Sequence, residues 1–210
     1  MKDTVSHIST EAHESHGPRV HRLFRRIFLL FTFSTVHLFT LSTFLSSCSQ
    51  AENLYDSWRV YFVVQNTNTI DVLNAALTGM GEFCTAVKKG NAIEYTNLKK
   101  TTPPINLLAV DLKRNYLFGR GTGFVIGHTS LISSRFPDQV VCYDAVCSNC
   151  YEDFSINRNV QLLSGSRAQC SSCQRIYDLN ELGMVAQGEA GRSLYRYRVR
   201  YTPFQLVVDN

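Results

Sequence analysis

Past residue 47 the chain has a single histidine. His7, His13, His16, His21 and His37 all lie in the first 47 residues, and His128 is the sixth. One imidazole cannot furnish a pair of nitrogen ligands, so a two-histidine metal centre is excluded from the body of the protein. Imidazole general-base chemistry there has only His128 to draw on. Charge of one sign is lacking too, with 21 Lys and Arg against 17 Asp and Glu. Residues 1–47 carry five basic and three acidic side chains and the remainder 16 and 14, so each part is only +2. Nucleic-acid binding needs clustered Lys and Arg that release counterions, and it is excluded on this balance. "GRGTG" (Gly119–Gly123) has neither the Lys-Ser/Thr ending nor the following helix of a phosphate loop, and reads as a twisted strand or bulge where only Gly fits. No carboxylate pair stands out, no Ser-His-Asp grouping exists apart from His128, and no internal repeat is present. The absences point away from an enzyme.

What is there begins with an address. "HRLFRR" at 21–26 precedes an apolar run, Ile27 to Leu45, and then small residues before Cys48, the three-part layout of an export signal. The run is interrupted by Thr, Ser and His37 and has no basic stop-transfer flank, though its length approaches that of a membrane span. The ending Leu45-Ser46-Ser47-Cys48 resembles the lipobox of bacterial lipoproteins. That resemblance implies cleavage before Cys48, lipid on Cys48 as the link to the membrane, and a place in the envelope of a Gram-negative-type bacterium. Ser49 favours the outer membrane under the same pattern, facing the periplasm or the surface. Polar residues 1–19 fit no signal, which suggests a translation start near Val20. The expected organisation is 1–47 extension and signal, 48–57 lipidated tether, and 58–210 one β domain.

Alternation and β-branched or aromatic content dominate that domain. Trp58–Val64 reads as a first strand, and "EFCTAVKKG" with "AIEYTNLKK" as a hairpin around Lys89-Gly90-Asn91, Phe83 and Tyr95 facing inward. Asp71–Leu77 is the one expected helical turn. "GRGTGFVIGH" reads as a Gly-rich strand, and "QVVCYDAVC" as a buried strand leading into the first cysteine knuckle. In "SLYRYRVRY" the residues Tyr195, Tyr197, Val199 and Tyr201 take one face. Arg196, Arg198 and Arg200 take the other, expected to be solvated. Tyr195 and those arginines are the candidate contact face for a protein partner. His128 is expected at a strand end on the surface.

Seven cysteines remain to be placed. Cys48 goes to lipid, while Cys84 and Cys142 sit in apolar strand patterns as inert small hydrophobes. Cys147, Cys150, Cys170 and Cys173 form C-x2-C-x19-C-x2-C, a tetrahedral metal spacing. Two knuckles, each presenting two sulfurs, complete a tetrahedron with arms of about 2.3 Å around zinc. Zinc is the favoured occupant, an iron–sulfur cluster the alternative, and two disulfides would need no metal at all in an oxidising envelope. Thiol exchange is disfavoured because it calls for a helix N-terminus, and Tyr151–Asn159 reads as turn and strand.

From Val141 to Asn210 the chain resembles the cluster-binding half of a Rieske-type domain. The matching features are Cys147, Cys170, Tyr177-Asp178, Gly183, Gly188-Glu189-Ala190, Leu194, Tyr197, Val199 and a last strand Gln205–Val208. More narrowly, the C-x-x-C version with a lipobox is similar to Rieske-fold envelope lipoproteins of unassigned function. The fold this implies is an all-β, layered antiparallel sandwich with two cysteine-knuckle loops. The departures are Asn149 and Cys173, where the family's [2Fe-2S] centre takes histidines. A metal here is held by sulfur. Four thiolates on [2Fe-2S] would give a low-potential electron-transfer centre, and four on zinc would give no redox chemistry.

Overall fold

The computed structural model describes residues 54–113, 116–130 and 139–210. The export segment, Cys48 and the first part of the tether lie outside the described residues. In chain order the strands are β1 (Val60–Gln65), β2 (Phe83–Lys89), β3 (Ala92–Thr96), β4 (Ile105–Asn106), β5 (Leu117–Phe118), β6 (Gly123–His128) and β7 (Val140–Asp144). They continue with β8 (Val160–Leu163), β9 (Arg167–Cys170), β10 (Ile176–Asp178), β11 (Met184–Gln187), β12 (Arg196–Thr202) and β13 (Gln205–Asp209). Nine of them make one sheet in the order β4-β3-β2-β6-β7-β12-β13-β1-β5, and four make a second, β11-β10-β9-β8. Neighbours pair antiparallel throughout. The protein is an all-β antiparallel sandwich. Its large sheet ends in two-residue strands, β4 and β5.

Alternation along β6 and β7 separates two cores. Phe124, Ile126 and Cys142 face a cluster with Phe62, Tyr95, Phe118 and Leu206, covered by α1 (Asp71–Thr78) through Leu73 and Leu77. Val125, Val141 and Tyr143 face the other way, onto Tyr177, Leu179 and three of the cysteines. A central strand buried on both faces shows no polar face, which is why these segments read as continuous apolar runs. Phe62, Phe118 and Phe124 pack in mutual ring contact at 5.2–5.6 Å between centroids. The β2–β3 hairpin turns at Gly90 (φ 61°) as expected. Phe83 and Tyr95 are both buried, but in different cores.

Several expectations fail. Two more helices accompany α1: α2 (Ala109–Lys113) and α3 (Ser148–Phe154). α2 follows "TTPPINLL" because the Asp111 carboxylate reaches back to accept from the Leu108 N–H at 3.3 Å, half of a capping box. Tyr151–Asn159 is not turn and strand. Its first residues lie in α3, which ends at Ser155 in a left-handed conformation (φ 54°). Seven residues are too few to show helical periodicity. Arg196 is not solvated: it is buried, with its guanidinium 5.2 Å from the Tyr55 ring, whereas Arg198 and Arg200 are exposed. The first residues of β12 pair with β7 inside the sheet, so only the later part of β12 alternates between buried and solvent faces. Arg196 is thus covered where Arg198, 5.4 Å from the same Tyr55 ring, stays exposed.

Candidate metal centre

The residues after β7 turn straight into the first knuckle. Cys147 has extended backbone at the N-cap of α3, its carbonyl accepts from the Tyr151 N–H at 3.0 Å, and Cys150 lies on the helix's inner face. The second knuckle is the turn between β9 and β10. There the Cys170 carbonyl accepts from the Gln174 N–H at 2.9 Å, and Gln174 takes a left-handed φ of 59° to close the turn. The two knuckles face each other, and the sulfurs of Cys147, Cys150, Cys170 and Cys173 all lie within 4.8 Å of one another.

The shortest separations run between knuckles, at 3.6 Å for Cys147–Cys173 and 3.6 Å for Cys150–Cys170. A disulfide requires about 2.05 Å, and all four thiols are free. A regular tetrahedron with arms of about 2.3 Å has edges of about 3.8 Å, so the donor set fits a single soft ion. Cys147, Cys150 and Cys170 are buried, and Cys173 is half-buried. The group can hold a metal ion. The other two cysteines among the described residues play no part: Cys84 and Cys142 are fully buried in the opposite core, and burial pushes the Cys84 thiol up to about 12.

Burial raises the Cys147 and Cys150 thiols too. For Cys173 burial acts in the same direction, but hydrogen bonds from the Arg175 N–H and guanidinium, and from Cys150 and Cys147, outweigh it and bring the thiol to about 7. Arg175 is itself buried, and its Nη2 pairs with Glu189 Oε2 at 2.7 Å. A four-thiolate site around a divalent ion carries two net negative charges, and this guanidinium offsets part of them.

Asn149, two residues after Cys147, is a scaffold. Its Oδ1 accepts from the Arg192 N–H at 2.8 Å, and its Nδ2 donates to the Arg192 carbonyl and to Tyr177 Oη, each at 2.9 Å. Because Tyr177 Oη accepts that bond, its own proton is free to point at Cys147 Sγ, 3.0 Å away. Gly191 permits this arrangement, since any Cβ there would overlap the Asn149 amide.

Under the first knuckle sits Asp144, fully buried. It accepts from the N–H groups of Arg120 (2.7 Å), Gly121 (3.2 Å) and Val146 (2.9 Å) and from Tyr197 Oη (2.8 Å). The "GRGTG" segment is thus a turn wrapped around a carboxylate, with Gly119 at φ 72° and no room for a Cβ against Asp144 and Tyr197. Arg120 in turn grips Asp56 at 2.8 Å and lies 4.4 Å from the Tyr195 ring, 5.0 Å from Trp58 and 5.8 Å from Tyr151. It joins the end of the tether to α3. Neither Asp144 nor Arg120 stood out in the sequence, because one charge within a strand or turn has no local signature. His128 ends β6 half-buried, with Nδ1 2.8 Å from the Thr129 carbonyl, away from the sulfurs. The chain matches no protein-family model and no curated protein.

Exposure orders the thiols. In chelator-treated protein Cys173 is expected to be the first of the four alkylated by iodoacetamide, with Cys147, Cys150 and Cys170 following only on unfolding. Peptide mass mapping over time checks this, and simultaneous labelling of all four would contradict it.

Proposed function

We propose that the chain is a membrane-attached envelope protein whose Rieske-like β domain carries one zinc ion on Cys147, Cys150, Cys170 and Cys173 as a structural clamp, with no catalytic role. The observation that carries this reading is the approach of every pair of sulfurs to within 4.8 Å. A dinuclear cluster divides four thiolates between two irons and spreads the pairs apart. One ion draws them to a common centre. The clamp joins the loop after β7 to the β9–β10 turn, adding to the contacts that Tyr177 of β10 makes with Cys147 and Asn149. Attachment to the membrane rests on the lipobox-like Cys48 and the apolar run before it.

The alternative, electron transfer by an all-thiolate [2Fe-2S] cluster, has one observation in its favour. Tyr177 Oη lies 3.0 Å from Cys147 Sγ and the Ser172 N–H donates to Cys170 Sγ at 3.4 Å, contacts of the kind that tune cluster potentials. Metal analysis and visible spectroscopy of anaerobically purified protein separate the two. The expected result is one zinc per chain and a colourless solution. Two irons with two acid-labile sulfides and visible absorption would overturn the zinc reading.

A further inference from the structure

The four sulfurs are reducing groups as well as ligands, and the fold exposes them unequally. Ser171 and Ser172, at the tip of the second knuckle, are exposed and Cys173 beside them is half-buried, whereas Cys147, Ser148, Asn149 and Cys150 are all buried. A small oxidant therefore meets Cys173 first. The sulfur in contact with it belongs to the other knuckle: Cys147 Sγ lies 3.6 Å away and is held there by Tyr177 Oη at 3.0 Å. Cys170, the cysteine that shares a C-x-x-C with Cys173, is engaged elsewhere. Its sulfur accepts from the Ser172 N–H at 3.4 Å and lies 3.6 Å from Cys150 Sγ. Once Cys147 and Cys173 are joined, Cys150 and Cys170 remain as a second pair already in contact.

Chain connectivity favours the same pairing. Cys147 and Cys173 stand 26 positions apart and Cys150 and Cys170 stand 20 apart, whereas each C-x-x-C closes only three. A longer closure removes more freedom from the unfolded chain and so stabilises the fold more. The two cross-knuckle bonds also span the gap that the ion spans, from the loop after β7 to the β9–β10 turn. Bonds within each knuckle would leave those loops without a covalent link between them.

We infer that the four-cysteine site is a redox-responsive clamp: peroxide converts it to the disulfides Cys147–Cys173 and Cys150–Cys170, releasing the ion while the two loops stay tied. The release of an ion rests on the zinc reading above; the pairing rests on the sulfur positions. Hydrogen peroxide alone closes the balance. The Cys173 thiolate attacks one peroxide oxygen, breaking the O–O bond, and becomes a sulfenic acid as hydroxide leaves. The Cys147 thiolate then displaces a second hydroxide from that sulfur, forming the S–S bond. Each disulfide thus consumes two thiolates, one peroxide and two protons, and yields two waters. A second peroxide oxidises Cys150 and Cys170 in the same way, and the ion, stripped of its thiolates, departs as a divalent cation.

The test takes the full chain, purified anaerobically with its metal content measured, and adds one equivalent of hydrogen peroxide beside a chromogenic chelator. Remaining thiols are capped with iodoacetamide and the unreduced digest is mapped, fragmentation between Cys147 and Cys150 and between Cys170 and Cys173 assigning each link. The expected result is zinc release in step with a Cys147–Cys173 bond, with the cap on Cys150 and Cys170. A second equivalent is expected to join those two, and the oxidised protein to melt roughly 10 °C above the reduced, chelated protein. Any other pairing, or sulfinic acid in place of disulfides, overturns the inference and leaves the zinc reading standing. A protein that holds no ion as purified yet forms both cross-knuckle bonds overturns the zinc reading and leaves the pairing standing.

Discussion

Replacing Cys170 with serine is expected to abolish zinc retention and to lower the melting temperature by roughly 12 °C in zinc-replete buffer. The estimate follows from linkage. An ion that binds only the native state, present at 1,000 times its Kd, contributes about 4 kcal/mol, and a domain of this size shifts by about 3 °C per kcal/mol. Cys170, the last residue of β9, is buried with its sulfur 3.6 Å from that of Cys150, so a serine there offers a poor soft-ion ligand and costs little by its volume. The informative arm is non-additivity. Chelation of the wild type should reproduce the loss, and chelation of Cys170→Ser should add almost nothing, because both remove one and the same interaction. Independent, additive losses in melting temperature would show that Cys170 acts by packing and that the four sulfurs hold no ion.

Asp144→Ala is expected to cost roughly 4 kcal/mol, or about 12 °C in melting temperature, and to speed zinc loss. It leaves three backbone N–H groups and the Tyr197 hydroxyl without their acceptor in a region that water reaches poorly. One of those N–H groups belongs to Val146, the residue before Cys147, so loosening it loosens the first knuckle. Calorimetry and zinc release to a chromogenic chelator measure the two effects. A variant within about 1 kcal/mol of wild type would mean that the turn at Gly119–Gly121 re-satisfies itself without the carboxylate. The pH dependence has a definite sign. Burial raises the Asp144 carboxyl above its ordinary value despite four hydrogen bonds that lower it. The native state therefore holds the proton more tightly than the unfolded chain does. This group's contribution is full below the unfolded carboxylate range and declines as pH rises through the raised folded value.

Much of the sandwich was legible in the residues. The hairpin at Gly90 followed from a Lys-Gly-Asn turn between alternating runs, and the last strand at Gln205 from the resemblance to Rieske-type domains. Cys84 and Cys142 were placed correctly because each sits where an apolar strand residue should. The four ligand candidates were marked by spacing alone, and the fold brings them together. Other features were written in contacts distant along the chain. α3 is a short helix that starts at the Cys147 N-cap, whose own N–H donates to the Arg158 carbonyl beyond the helix's end, so no local periodicity announces it. Arg196 looks like its exposed neighbours Arg198 and Arg200, and differs in being buried, with its guanidinium against the Tyr55 ring. Asn149 carries no sign of its scaffold role until Arg192 and Tyr177 are brought to it.

The brevity of β4 and β5 has a consequence for encounters between copies of the chain. A long sheet invites polymerisation where its last strands expose free backbone donors and acceptors to a second molecule. Here each terminal strand offers only two residues, and Pro103-Pro104, which bring no N–H, stand directly before β4. These two strands are poor templates for another chain to lengthen.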